Sequence, residues 1–180
     1  EMKFFINEDI EEIIHSLYID KNILKNKNII ISGGLGFIGK YILQILINFK
    51  NQNNIEFSIY TIDNFITSDK SFVDYFVDQG VIFINHNINE ELKIDIIFDY
   101  LISLAGIASP YYYNAHPMEA LDVSINGLKN MFKLKHNKDS KFVFFSSSEI
   151  YGDPPSDQIP TKENYRGNVT SVGPRSCYDE

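Results

Sequence analysis

The stretch that most constrains this chain runs from Asn28 to Leu46. Asn28-Ile29-Ile30-Ile31-Ser32 is an apolar, β-branched run that reads as a buried strand, and it breaks into Gly33-Gly34-Leu35-Gly36-Phe37-Ile38-Gly39. Ile38, Ile42, Ile45 and Leu46 then recur at helical spacing, so the glycine turn opens a helix. In such a unit Gly33 permits the sharp turn, Gly36 lets an anionic group approach the backbone, and Gly39 lets the helix pack closely on the strand. The free N–H groups and positive dipole end of that helix face an anion such as a pyrophosphate. A glycine-rich turn without a ligand would show the same residues. A Walker-type phosphate loop is excluded, because no Gly-Lys-Ser/Thr follows.

The rest of the chain repeats the alternation. Asn7-Glu8-Asp9 is suited to cap a first helix in which Ile10, Ile13, Ile14 and Leu17 form one apolar stripe. Asp20 to Lys27 is a polar link, so residues 1–27 read as an N-terminal helical extension. Ile55 to Ile62 predicts a second strand ending in Asp63, and Ser71 to Asp78 a short helix. Val81 to Ile84 predicts a third strand, ending at Asn85-His86-Asn87-Ile88. Asp99 to Leu104 gives a fourth, followed by the small-residue loop from Ala105 to Pro110. Met118 to Lys135 predicts one long helix with Leu121, Ile125, Leu128 and Phe132 on one face. Lys141 to Phe145 is the fifth strand, breaking into Ser146-Ser147-Ser148-Glu149. From Asp153 to about Pro174 the chain is rich in Pro, Gly and Asn and reads as a loop. Strands alternating with helices imply an α/β fold with a doubly wound parallel sheet, Rossmann-like, over residues 28–180.

Ligands of such sheets bind at the carboxyl ends of the strands. The glycine loop, Asp63, Asn87, Ala105 to Ser109 and Ser147 to Glu149 all fall there, and that convergence points to a dinucleotide. Asp63 stands near the place where a carboxylate meets the ribose hydroxyls, although it also suits a turn former. No Arg follows it to receive a 2′-phosphate, so NAD is favoured over NADP. The formal net charge of −8 over 180 residues, without a dense Lys/Arg cluster, argues against a nucleic-acid surface. Cys177 is the lone cysteine, read as a small packing residue, and the four histidines show no metal-ligand spacing. No apolar run reaches the ~20 residues that span a bilayer. Residues Glu1 to Ile6 lack a signal-peptide layout, so a cytoplasmic protein away from membranes is expected.

Ser146-Ser147-Ser148-Glu149, with Tyr178 well downstream, is the candidate catalytic constellation. A hydroxyl, a carboxylate and a phenol beside a nicotinamide suit alcohol oxidation: the phenolate takes the hydroxyl proton and the Ser fixes the substrate oxygen. A phenol titrating near ~10 needs a nearby cation to act at neutral pH, usually a Lys one helical turn on. The sequence stops two residues short of that position. Each residue alone has a plain alternative, Ser and Glu as a helix cap and Tyr178 as one of eleven tyrosines.

Gly33-Gly34-Leu35-Gly36-Phe37-Ile38-Gly39, Asp63-Asn64-Phe65, Leu104-Ala105 and Ser148-Glu149-Ile150-Tyr151-Gly152-Asp153-Pro154 together resemble the extended short-chain dehydrogenase/reductases that modify nucleotide sugars. Ala108-Ser109-Pro110 and the tail from Gly173 to Glu180 are most similar to UDP-glucuronate decarboxylases. The resemblance implies Tyr178 as general base, Ser147 on the sugar C4 oxygen, Ser148 and Glu149 near C5 and the carboxylate, and Arg175 holding the anionic substrate or shaping the site. It implies NAD held by Gly33, Gly36, Phe37, Ile38, Gly39, Asp63, Asn64, Phe65, Asn87, Ile88, Leu104 and Ala105. The partners it implies are a nucleotide sugar, a UDP-sugar by the decarboxylase likeness, and a second copy in a homodimer. A 4-epimerase, a 4,6-dehydratase or a non-catalytic NAD-binding module are the alternatives. Three departures stand out. Asn87 replaces the family's acid after the third strand, and Ser124-Ile125-Asn126-Gly127-Leu128 with Asp122-Val123 departs from its helix motif. The Lys beyond Tyr178 and a C-terminal substrate region are not in this sequence, which therefore reads as the N-terminal portion of a longer enzyme.

Overall fold

A computed structural model describes residues 4–17 and 20–179; Glu180 of the tail motif and residues 1–3 lie outside it. Five strands, β1 (Asn28–Ser32), β2 (Ser58–Asp63), β3 (Val81–Asn85), β4 (Tyr100–Ser103) and β5 (Lys141–Phe144), form one parallel sheet in the order β3-β2-β1-β4-β5. The order reverses at β1. There the chain runs outward through β2 to β3, then returns to β4 on the other side, which is the doubly wound arrangement.

Both faces of the sheet are covered because its central strands are apolar on both sides. Ile29, Ile31 and Ile59 point to a face covered by α1 (Asn7–Ser16), α2 (Phe37–Asn53) and α3 (Phe72–Val77), where they meet Ile10, Leu43, Ile47, Phe72 and Phe76. Ile30, Ile62 and Leu101 point the other way, onto Ile88, Phe98, Met131 and Leu134. The short α4 (Pro110–Ala115), α5 (Pro117–Asp122) and α6 (Leu128–Lys133) follow β4, and α7 (Ser176–Asp179) closes the described chain. Among the described residues no helix is long and apolar enough to cross a membrane.

Four expectations are corrected. The long helix expected over Met118–Lys135 is two short helices joined by a wide π turn, Val123–Gly127. A residue added to a turn rotates the next helical segment by about 100°. The buried face is therefore Ala120, Gly127, Asn130, Met131 and Leu134, while Ile125 and Phe132 of the expected stripe are 45% and 58% exposed. Second, the alternation of strand and helix fails at the crossover from β3 to β4, which contains no helix; it is a segment without regular secondary structure whose Leu92, Ile94, Ile96 and Phe98 pack on the second core at alternate positions. Third, α1 begins after Ile6 with no side-chain cap, so Asn7 to Asp9 lie in its first turn. Only Ile10 and Ile14 of its stripe are buried, since an i, i+4 pair is all that one line of contact with α2 requires. Fourth, β2 starts at Ser58 and contains Asp63 as its last residue; Ile55 and Phe57 are buried just outside it.

The loop after residue 152 is tied down. Gly152 and Asn168 form an isolated parallel bridge, Asn168 donates its N–H to the Tyr151 carbonyl (2.9 Å), and its Nδ2 donates to the Asp153 carbonyl (2.9 Å).

Candidate active site

The glycine turn is built by contacts that leave no room for a Cβ. Gly33 adopts φ +71°, donates its N–H to the Ile62 carbonyl (2.8 Å), and lies so close to the loop after β4 that a Cβ would sit 2.8 Å from Ala105 Cα. A Cβ on Gly39 would sit 2.5 Å from the Gly33 carbonyl oxygen and 2.6 Å from Gly34 Cα, so α2 packs directly on the turn. Gly36 is different: it caps α2, and a Cβ there would meet only the Gly33 oxygen, at 3.2 Å. Two strand residues complete the turn without having stood out in the sequence. The fully buried Ser32 receives the Leu104 N–H on its carbonyl (3.1 Å) and the Ala105 N–H on its Oγ (3.3 Å). Thr61 donates to the Ile31 carbonyl (3.2 Å) and fills the space beside Gly34.

Asp63 carries three donors. Its Oδ2 accepts the Leu35 N–H (3.1 Å), and its Oδ1 accepts the Phe65 N–H (3.0 Å) and the Ser68 hydroxyl (2.6 Å). Phe65 is held at φ 63° with its ring 5.6 Å from that of Phe83. Asn64 Oδ1 accepts the Ile66 N–H (3.3 Å), and Asn87 Oδ1 accepts the Asn89 N–H (3.1 Å), so both asparagines shape their own turns.

These segments converge on one cleft. Gly33, Gly36, Asp63, Asn64, Asn87, Ile88, Leu104 and Ala105 line it, together with Ile107 of the expected Ala105–Ser109 loop and with His86, Asn89 and Val123, which sequence reasoning did not assign to the cleft. Phe37 and Ile38 expose their side chains, 72% and 51%, and Gly39 lies beneath the turn; from this part of α2 the cleft meets the helix N-terminus. Asn89 Oδ1 is buried without a hydrogen-bond partner among the described residues, under the bare face of Gly127.

Next along α2, Lys40 is almost buried, its ammonium 3.9 Å from the Phe4 ring centre and 4.1 Å from that of Phe72. Burial pushes this ammonium below the usual lysine range, with Asp69 and Asp63 pulling the other way.

A second group forms beyond β5. Ser147 caps the 3-10 turn Ser148–Tyr151, its Oγ accepting the Glu149 N–H (3.3 Å). The same oxygen accepts the Tyr178 hydroxyl proton (3.2 Å). Tyr178 stacks on the buried Tyr113, rings 5.5 Å apart and 14° from parallel. Arg175 pairs with Glu149 and lies 3.7 Å from Asp179; the Glu149 carboxylate raises the guanidinium above its ordinary value. Ser148 is exposed. The two groups share a wall: Ile107, Tyr113 and Ala120 form a small core against which Val123, Cys177 and Tyr178 pack.

The switch of strand order at β1, the glycine turn on α2 and an acid at the end of β2 define a dinucleotide-binding domain. The residues fit NAD. Gly36 leaves the helix N-terminus open to a pyrophosphate, Asp63 retains acceptor capacity for a ribose, and Ile88, Leu104 and Ala105 offer apolar walls to a flat base. The chain belongs to the NAD dependent epimerase/dehydratase family, whose model matches residues 29–180. It is 34% identical over 157 residues to UDP-glucuronic acid decarboxylase 1 of Arabidopsis thaliana, covering 87% of this chain and 34% of the relative. Over 155 residues it is 34% identical to UDP-glucuronic acid decarboxylase 1 of Danio rerio, covering 86% of this chain and 35% of that one. Among solved structures, a UDP-N-acetylglucosamine 4-epimerase from Methanobrevibacter ruminantium M1 superposes with a TM-score of 0.63 at 27% identity, covering 86% of this chain and 47% of the other. A UDP-glucose 4-epimerase from Stenotrophomonas maltophila, solved with NAD, shares the fold at 20% identity with a TM-score of 0.64, covering 85% and 44%. The chain thus spans about a third of the length of these curated relatives. NAD is the cofactor of the family and of this chain.

Proposed function

We propose that this chain is the cofactor-binding part of an enzyme that modifies nucleotide sugars through oxidation at C4, and that its reaction is the decarboxylation of UDP-glucuronate to UDP-xylose. The observation that carries the proposal is the Tyr178 hydroxyl 3.2 Å from Ser147 Oγ, with Glu149 on the same short turn, beside the cleft of an NAD-dependent family. The curated relatives at 34% identity support the decarboxylase reading.

In this reading residues 1–27 are an accessory extension, and residues 28–180 hold NAD through the residues of the cleft. When bound, NAD supplies the oxidation of the sugar at C4 and its reversal. Tyr178 accepts the C4 hydroxyl proton and Ser147 holds the oxygen from which it leaves. The C4 ketone is β to the C6 carboxylate, so loss of CO2 leaves an enolate stabilised by that carbonyl. Glu149 and Ser148 stand near C5, and Arg175 shapes the site by fixing the Glu149 carboxylate.

The test incubates the full-length gene product with NAD and UDP-glucuronate and assays CO2 and UDP-pentose. Both are expected from the native protein. Tyr178→Phe is expected to lower turnover by about 10²- to 10⁴-fold, the usual worth of a positioned acid–base group. A native protein that forms neither product would overturn the decarboxylase reading. The 27% identical 4-epimerase favours a second reading, in which the product is a C4 epimer with the carboxylate retained. Product analysis over a panel of UDP-sugars separates the two.

A further inference from the structure

We propose that Ser68 is an internal competitor of the cofactor: its hydroxyl occupies an acceptor position on Asp63 that the adenosine ribose of NAD must take over. The inference rests on reading Asp63 as the ribose-binding acid. A carboxylate offers about four acceptor positions. Three are filled here, by the Leu35 N–H on Oδ2 and by the Phe65 N–H and Ser68 hydroxyl on Oδ1. One position remains on an acid that lines the cleft, yet the adenosine ribose presents two hydroxyl donors, so a bidentate ribose needs one more.

The three occupants differ in how readily they can leave. Leu35 N–H belongs to the glycine turn, which is wedged against Thr61 and the Ala105 backbone, and Leu35 is itself buried at 1% exposure. Phe65 N–H closes a two-residue turn on Asp63 and is fixed by the left-handed backbone at φ 63° and the packing on Phe83. Ser68 is half-buried in the loop before α3, and its contact is a hydroxyl that one χ1 rotation removes. The 2.6 Å bond is a charge-assisted one, so it holds Asp63 aimed in the free protein and its loss is charged against ribose binding. Ser68 thereby orients the acid before the cofactor arrives and lowers affinity when it does.

The experiment is titration calorimetry of the purified protein with NAD and with the NAD analogue whose adenosine ribose lacks the 2′-hydroxyl. Ser68→Ala is expected to bind NAD about 10- to 100-fold more tightly than the native protein, the usual worth of one hydrogen bond to a charged group. The deoxy analogue needs only the position that is already free, so Ser68→Ala is expected to leave its affinity unchanged. Ser68→Thr, which keeps the hydroxyl, is expected to bind NAD as the native protein does. Equal or weaker binding of NAD by Ser68→Ala, or an equal gain for NAD and the deoxy analogue, overturns the proposal. Asp63→Asn tests the underlying reading separately: unchanged NAD affinity there removes Asp63 from the ribose site, whatever Ser68→Ala shows. The native protein's own ratio of NAD to deoxy-analogue affinity needs no variant, and it is expected to stay below about 10-fold, because the second ribose bond only replaces the Ser68 one. A larger ratio overturns the proposal as well.

Discussion

Replacing Gly39 by Ala sets two physical effects against each other. Gly39 lies in the third position of α2, and on helix propensity alone Ala is the better residue by about 1 kcal/mol. The added methyl, however, would lie 2.5 Å from the Gly33 carbonyl oxygen, 2.6 Å from Gly34 Cα and 2.7 Å from the Gly34 carbonyl carbon. Ordinary contact needs roughly 3.5 Å, so the helix and the turn must part by about 1 Å. All three obstacles are backbone, and Gly33 is itself seated against Ala105, so no side chain can swing aside. Overpacking of this kind costs about 1–3 kcal/mol, with the upper end fitting a rigid wall. The net expectation is a loss of about 2 kcal/mol, or about 4–8 °C in Tm for a domain of this size. Gly36→Ala is the control: its single contact is at 3.2 Å, so stability falls by less than about 1 kcal/mol while the methyl intrudes on the cleft. Urea denaturation and NAD titration of both variants separate the effects. Gly39→Ala is expected to lose stability and affinity together, Gly36→Ala mainly affinity. A Gly39→Ala protein as stable as the native one would refute the reasoning, because propensity would then have outweighed the backbone contacts.

Other expectations concern the sheet and its second core. Asp99 accepts the Asn28 N–H (2.9 Å) and the Lys27 ammonium (2.9 Å); burial pushes its carboxyl up, but these two donors outweigh it and hold it below the usual range. A folded value below the unfolded one gives stability that is present above about pH 4 and lost as pH falls through the folded value. Asp99→Asn should therefore be less stable by about 1–2 kcal/mol at neutral pH and show a flatter decline in urea midpoint on acidification; parallel declines would count against it. Ser140→Ala leaves the Phe98 carbonyl without its 2.7 Å donor in a buried place, and a loss of about 1–2 kcal/mol in urea denaturation is expected. Met131→Ala, at a site with no exposure, should cost about 2–5 kcal/mol by the same assay, whereas Phe132→Ala, exposed apart from its edge contact with Phe142, should cost about 1 kcal/mol or less. The reverse ranking would restore the uninterrupted helix expected from the sequence.

The strands are legible because each is a short apolar run ending at a turn signal, whereas their order in the sheet and its reversal at β1 come from the structure. The single helix expected over Met118–Lys135 departs from the structure for a definite reason. Leu121, Ile125, Leu128 and Phe132 do recur at helical spacing, but a wide turn at Val123–Gly127 breaks the phase, and no single residue announces such a turn. At the site, residue type pointed to Ser147, Glu149 and Tyr178, yet their pairing depends on a loop that brings positions 31 apart within hydrogen-bond reach. Arg175 shows the limit of residue type alone: a guanidinium suited to an anionic substrate is satisfied here by Glu149. Ser32 and Thr61 pass as ordinary strand residues because their roles are set by backbone partners in other segments, and Ser68 passes as a loop residue because its role is set by the Asp63 carboxylate.

The packing of residues 4–17 bears on where a self-sufficient folding unit begins. The family match starts at residue 29, yet Ile10 and Ile14 share one core cluster with Ile29, Leu43 and Ile47, and the Phe4 ring covers the Lys40 ammonium. A shortened chain beginning at Asn28 would forfeit the burial of two isoleucines, about 3–6 kcal/mol, against a total of about 5–15 kcal/mol for a typical domain. It would also bare Leu43 and Ile47 and leave a nearly buried cation without one of its rings. The boundary drawn by ancestry and the boundary drawn by free energy therefore fall at different residues, and a minimal cofactor-binding fragment has to be cut by the second.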